Sequence, residues 1–445
     1  MNSQTKKTNN ALFDFINNSP TCFHAVENLA TAYEKAGFLA LSEKESWNIA
    51  PGGKYFVRRN GSSIIGFTIP KEEVNGFHLS ASHSDSPCFK LKQIPVTRTE
   101  KYLKLNVEKY GGMIMSTWLD RPLTIAGRIF TREPAGKKNA AGFPVLTQHL
   151  VCLEPGSCII PNVCIHFERN MNSGMEYNAQ TDMAPIFAVD TEGKIKNDED
   201  AQKLFWSVIA KNAGVKPETI MGSDLYICNP EKGAWIGLSG DMIASPRLDD
   251  LQCVFGTFRG FVAAGGSSRT FIGVHAVLDN EEVGSTTRQG AASTFLKDTL
   301  VRLCECLGIG GQDYLRLIAD SFMVSADNAH AVHPNHPEKS DAGNRPYMNG
   351  GIVIKSHGGQ KYTSDGYSIG VFSSICKEAG VPCQMFSNRS DIAGGSTLGN
   401  ISNTQVSVKA VDIGLPQLAM HSAYETAGAL DTQYLVDAMT RYYRL

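Results

Sequence analysis

Glu281 and Glu282, adjacent in the stretch DNEEVGS (residues 279–285), are of a type and spacing that could do hydrolytic chemistry. They follow FIGVHAVL (271–278), an apolar, β-rich run that reads as a buried strand. They precede STTRQGA (285–291), which reads as the start of a helix. Open α/β sheets place ligands at the C-terminal ends of their parallel strands. Neighbouring residues at such a turn point in different directions. One carboxylate can then bind a metal ion while the other faces the water that the ion activates. The plainer alternative is a solvated acidic pair at the opening of a helix, where the dipole favours it.

The rest of the chain weighs on the first reading. With Glu282, the acids and histidines His83, Asp249, Asp327 and His421 recur at expected strand ends. Together they make two histidines and three carboxylates, a donor set for divalent first-row ions. Zinc is the default, with cobalt or manganese as alternatives. The absence of cysteine from the set points to a catalytic rather than a structural site. Two ions roughly 3.5–4 Å apart need a bridging carboxylate, and together they polarise a carbonyl and generate a hydroxide. A lone histidine at a strand end is more often structural. Five such residues at consistent positions reverse that expectation.

Several elements must position these side chains. Residues 11–40 carry helical periodicity, broken at Ser19-Pro20, with Thr21 as a candidate N-cap. KYFVRR and SSIIGFTI flank Asn60-Gly61, a two-residue hairpin turn. GFHLSASHSDSP (76–87) places a strand at His78–Ser82, from whose end His83 and Asp85 emerge. From about residue 95 the pattern changes to short β-like segments separated by turns, with one clear helix at 198–214. From about 237 the α/β rhythm returns. Ser245-Pro246-Arg247 reads as a helix start with proline in its first turn. Helices are expected at 290–307, 313–320 and 366–380. Strands are expected at FMVSAD, ending at Asp327, and at GIVIK, ending at Lys355. A glycine-rich AGGSTLG, the strand QVSVKAVDI and a terminal helix close the chain. The economical picture is one α/β domain, residues 1–94 and 237–445, split by an inserted β-rich domain, 95–236.

Composition narrows the function classes. The 445 residues exceed one ordinary domain. A net charge of -2 with interspersed signs implies neither a nucleic-acid nor a membrane partner. No apolar run approaches the ~20 residues of a spanning helix, and MNSQTKKTNNALFDF lacks the apolar core of a signal peptide. Eleven scattered cysteines without a CxxC pair suit reduced thiols in a cytoplasm. Cys304 and Cys306 read as core residues of a helix.

HSDSP (83–87), SPRLDDL (245–251), DNEEVGS (279–285), SADNAHAVHPN (325–335) and LAMHS (418–422) together resemble the motif set of the M18 metallopeptidases, the aspartyl aminopeptidase family. The resemblance spans the chain, insert included. It implies a three-layer α/β/α, mixed-sheet zinc-peptidase-like catalytic domain interrupted by a dimerisation domain. It further implies that His83 and Asp327 bind one metal, Glu282 and His421 the other, and that Asp249 bridges them. Glu281 is then the general base that takes a proton from the metal-bridging water and passes it to the leaving amine. Asp85, two residues beyond His83 on the same strand face, orients that ligand; otherwise it caps a turn. His330, Lys355 and Tyr362 match substrate-contacting positions, and His166 matches a histidine that reaches a neighbouring subunit's site. From the residues alone, Lys355 is either a cation for an acidic side chain or an ordinary solvated lysine. Tyr362 is otherwise core, and His166 otherwise structural. His333 and His336 read as loop residues. A second family histidine before His166 is here Asn162.

The expectation is an aminopeptidase with two divalent metal ions per subunit, acting on peptide substrates with N-terminal Asp or Glu and built as a dimer-based dodecamer. Rivals are a neutral-residue aminopeptidase of the same family, a carboxypeptidase or N-deacylase on a similar site, and a non-catalytic assembly scaffold.

Overall fold

A computed structural model of the chain describes residues 2–132, 136–266 and 268–445. These residues form two compact units. One comprises the residues up to Ser86, Lys232–Met420 and Glu425–Leu445; the other comprises Pro87–Glu231 with His421–Tyr424.

The first unit is built on a nine-stranded mixed sheet. In spatial order its strands are Leu39–Leu41, Lys54–Arg59, Ser63–Thr68, Phe271–Leu278, Gly76–His83, Phe322–Ala326, Lys409–Gly414, Ile352–Ser356 and Cys383–Ser387. Four central strands, from Phe271–Leu278 to Lys409–Gly414, run parallel. Period-2 alternation sends successive side chains to opposite faces. Val277 joins one buried apolar cluster with Phe258, Leu435 and Phe372, while Ala276 and Leu278 join another with Phe295, Leu300 and Leu303. Helices therefore cover both faces, the three-layer arrangement expected. The Asn60-Gly61 hairpin forms as read, with φ of 59° and 69° in the left-handed region that this turn requires. A five-stranded sheet in the same unit contains Ala329–His330, Met242–Ser245 and Glu425–Gly428.

The second unit holds a six-stranded antiparallel sheet covered by the helix Asp198–Ala213, whose Ala201, Phe205 and Ile209 enter its core.

Some local expectations give way. STTRQGA is not helical: a 3-10 turn spans Glu281–Val283 and the helix begins at Phe295. The reason lies in Gly284 and Ser285, at φ 95° and 60°, and in Gly290, where a Cβ would lie 2.3 Å from the Ser285 carbonyl oxygen. The helix after Pro246 begins at Leu248, so the proline lies outside it, and Asp249 and Asp250 keep non-helical dihedrals. Cys304 is buried as read, but Cys306 is exposed and donates to the Trp47 carbonyl.

His275 sits fully buried in the central sheet, its ring nitrogens paired with the Tyr33 and Thr257 hydroxyls. Burial lowers its pKa to about 3. The unfolded chain takes up this proton near pH 6.5. The stabilisation is therefore complete above that pH and is lost as the pH falls toward about 3, by up to about 1.4 kcal/mol per pH unit. Urea unfolding between about pH 7.5 and about pH 5 is expected to give a shallower acid slope for His275→Gln than for the wild type; equal slopes contradict the assignment.

Candidate metal centre

Three adjacent parallel strands deliver the acidic residues. His83 ends the strand Gly76–His83, directly opposite Leu278, the last residue of Phe271–Leu278. Beyond Leu278 the chain turns at Asn280, whose left-handed φ of 63° suits asparagine. The Asn280 side chain accepts from Thr287 and Gln289 and so fixes the turn that presents Glu281 and Glu282. On the other side of His83, Asp327 follows the strand Phe322–Ala326. Its backbone N–H donates to Ile413, and the neighbouring Gly414 lets it approach: a Cβ there would lie 2.1 Å from the Asp327 carbonyl oxygen. Asp249 and Asp250 come from the start of the helix Leu248–Ala264, where the peptide bond between them is cis.

His83 is the hub. Its Nε2 lies 3.4 Å from Asp249 Oδ1 and 3.8 Å from Asp327 Oδ1, and its Nδ1 lies 3.4 Å from Asp85 Oδ1. Donor atoms of His83, Asp249, Asp250 and Asp327 all fall within 4.8 Å of one another, and so do those of His83, Glu281 and Glu282. Apart from the two half-buried glutamates, these residues are buried.

Backbone clamps hold the set in place. Asp85 accepts from the N–H groups of both Glu281 (3.1 Å) and Glu282 (3.2 Å). Asp250 accepts from the His83 N–H at 3.1 Å. Glu425 accepts from the Asp249 N–H at 3.0 Å. The strand ends at His83, so Asp85 lies beyond it rather than on a shared strand face. It lies 3.4 Å from the His83 ring and accepts from the backbone of the Glu281-Glu282 turn.

The electrostatics follow from crowding. Burial pulls the His83 pKa down, but Asp250 and the hydrogen-bonded Asp249, Asp327 and Asp85 outweigh it and hold the pKa well above the ordinary histidine value. Burial, then Asp249, push Glu282 well above the carboxylate range. Glu281 is raised to about 8, by burial first and by its acidic neighbours, against the opposing pull of His83. Carboxylates pushed up by one another around a single imidazole form a donor set suited to divalent cations. Asp250 Oδ1, buried with no hydrogen-bond partner, fits the same need.

The other expected residues are placed as follows. Lys355 is buried, not solvated: its ammonium donates to the carbonyls of Asp327 (2.7 Å) and Asn328 (3.2 Å) and lies 3.4 Å from Asp327 Oδ2. Tyr362 is buried with Val353 and Phe386, its ring centroid 5.5 Å from the Lys355 ammonium. His330 is exposed on the small sheet, 6.1 Å from the Phe386 ring. His333 and His336 lie in an exposed loop. His421 and His166 belong to the second unit. There His421 Nδ1 pairs with the Gly112 carbonyl, and His166 is exposed. Asn162 bonds to both carboxylate oxygens of Asp120. The sequence reading missed Asp250 and Glu425. The doubled aspartate of SPRLDDL was a signal for the first; nothing local marked the second.

With this geometry in hand, similarity to known proteins is decisive. Residues 15–443 match the family described as Aminopeptidase I zinc metalloprotease (M18). The chain belongs to the M18 aminopeptidase family. It is a metallo-aminopeptidase by class, with a buried cluster able to hold a metal ion. It is 42% identical over 437 residues to a probable M18 family aminopeptidase 2 of Clostridium acetobutylicum, covering 98% of both chains. The M18 fold recurs in the cryo-EM structure of an Ape4 and Nbr1 complex (TM-score 0.93, 34% identity, 99% of this chain and 86% of that one). It recurs again in the S. cerevisiae mApe1 dodecamer (TM-score 0.84, 26% identity, 100% and 97%). Among the described residues no helix is long and apolar enough to cross a membrane.

Gly414→Ala is expected to lower stability by about 2 kcal/mol or more, because its Cβ must displace the Asp327 backbone. Urea unfolding together with zinc analysis measures it. Unchanged stability with full zinc content contradicts the close-approach argument.

Proposed function

We propose that this chain is a dinuclear-zinc aminopeptidase that removes N-terminal Asp or Glu from peptides. The observation that carries the reading is the convergence of His83, Asp249, Asp327, Glu281 and Glu282 at the ends of three neighbouring parallel strands and the adjoining helix start. His83 and Asp327 would hold one ion and Glu282 and His421 the other, with Asp249 shared. Bound divalent ions supply a polarised scissile carbonyl and a more acidic water. Glu281 then takes the proton from the attacking water and delivers it to the leaving amine. Its raised affinity for protons when burial and acidic neighbours surround it suits that shuttle. Asp85 holds the Glu281 backbone and the His83 ring.

The second unit would serve assembly, and His166 would complete the site of a neighbouring copy. Support comes from the segment around it, where Phe167 is 85% exposed and Val163 and Ile165 about half exposed, an apolar surface that a partner would cover. The mApe1 relative is a dodecamer. Eleven free cysteines suit a cytoplasmic location.

Glu281→Gln tests the base. The variant is expected to keep about two zinc ions per chain by elemental analysis while losing at least roughly a thousandfold in kcat. Near-normal turnover refutes the assignment; loss of zinc reassigns Glu281 as a ligand.

One observation favours a neutral-residue preference instead: the Lys355 ammonium is already engaged by Asp327 and two carbonyls. Kinetics of Lys355→Ala on N-terminal Asp and Leu substrates separate the two readings. The acidic reading expects a far larger loss on Asp; equal losses leave Lys355 with a structural role only.

A further inference from the structure

Asp412 has no part in the proposed chemistry, yet it is a fully buried charged residue beside Lys355. It lies on the strand Lys409–Gly414, paired directly with Lys355 on Ile352–Ser356 and with Ser325 on Phe322–Ala326. Its carboxylate accepts three hydrogen bonds, all from loops rather than from its own sheet. Thr363 donates twice to Oδ2, from its backbone N–H (2.5 Å) and its hydroxyl (2.8 Å). The Thr397 hydroxyl donates to Oδ1 at 2.8 Å. The Asp412 N–H also donates to the Ser364 hydroxyl at 2.9 Å.

Two further observations indicate that this arrangement is built. Thr397 stands at the N-cap position of the short helix Leu398–Ser402, yet its side chain makes no capping bond; its hydroxyl goes to Asp412. Gly399 faces the same carboxylate, and a Cβ there would lie 2.7 Å from Asp412 Oδ1 and 2.8 Å from the Ser325 side chain. Gly399, at the end of the AGGSTLG stretch, thus has a reason to be glycine: it lies against a buried acid.

We propose that Asp412 is a positioning residue that sets substrate specificity by tying the loop carrying Tyr362, whose ring faces Lys355, to the AGGSTLG loop. Tyr362 immediately precedes the doubly bonded Thr363, and its ring faces the Lys355 ammonium. Losing the clip frees Tyr362 to leave Lys355. The side-chain clip itself bonds to none of the proposed metal ligands. The proposal rests on the reading of Lys355 as the residue that meets an acidic substrate side chain.

The test uses full-length protein in three variants: Asp412→Asn, Thr397→Val and Thr363→Ala. The latter two each remove one hydroxyl and keep the buried charge, so the test survives a failure of Asp412→Asn to fold. Each is expected to raise KM for an N-terminal Asp substrate by about tenfold, the effect of one charge-assisted hydrogen bond. The kcat, the zinc content and the KM for N-terminal Leu should stay within about twofold. Hydrogen exchange should quicken at 361–365 and 395–398. If these segments exchange as in the wild type and KM for Asp is unchanged, the proposal is wrong. An equal fall of kcat on both substrates makes Asp412 a general structural residue and also overturns it. The wild-type control separates the underlying reading. If wild type does not prefer Asp but the variants loosen both segments and raise KM for its actual substrates, the acidic preference fails and the positioning role stands.

Discussion

Six carboxylates around one imidazole, in a place that water hardly reaches, is the constraint on which the rest of this molecule turns. Two like charges 4 Å apart repel by about 4 kcal/mol at the effective dielectric of a protein surface, and by more in the interior. A fold that gathers Asp85, Asp249, Asp250, Asp327, Glu281 and Glu282 beside His83 cannot leave that charge unanswered. Part of the answer is protein. Asp85 and Asp250 each turn oxygens toward backbone N–H groups, which satisfy carboxylate oxygens well. The remaining donor atoms converge, and divalent cations are the partners their chemistry calls for.

The clamps also explain how the donors stay in register. Three segments are each held by a carboxylate from another: the Glu281-Glu282 turn by Asp85, the His83 backbone by Asp250, and the Asp249 backbone by Glu425. The two apolar clusters on either face of the sheet keep the three strands that carry the site at fixed spacing, and the clamps carry that support across the loops to the donor atoms. Rigid support of this kind is what a metal site needs, since ligand distances tolerate only a few tenths of an ångström.

Much of this was legible in the chain. Strand ends carrying His83, Asp327 and the Glu281-Glu282 pair are local patterns, as is the Asn60-Gly61 turn. Residues whose meaning depends on distant partners were not legible. Glu425 matters because it faces the Asp249 N–H, 176 positions away in sequence. Lys355 ends an apolar strand, but nothing in GIVIK tells that its ammonium turns inward to the Asp327 carbonyl. The stretch after Glu282 failed as a helix because positive-φ residues and the tight seat of Gly290 decide its path, and periodicity does not report on either.

The inward turn of Lys355 has a consequence for how specificity could be arranged. On the proposed reading, a cation that holds a metal ligand and also meets the substrate would couple recognition to chemistry, because its replacement disturbs Asp327 as well as the pocket. Selectivity is then easier to vary one layer out, in residues that aim the pocket without touching a ligand. The loops tied to Asp412 occupy that layer. They bond to neither metal donors nor the Lys355 ammonium, yet they fix the aromatic ring that faces it. A fold that builds its metal site from interlocked clamps leaves little freedom inside the cluster, and such loops are where the freedom remains.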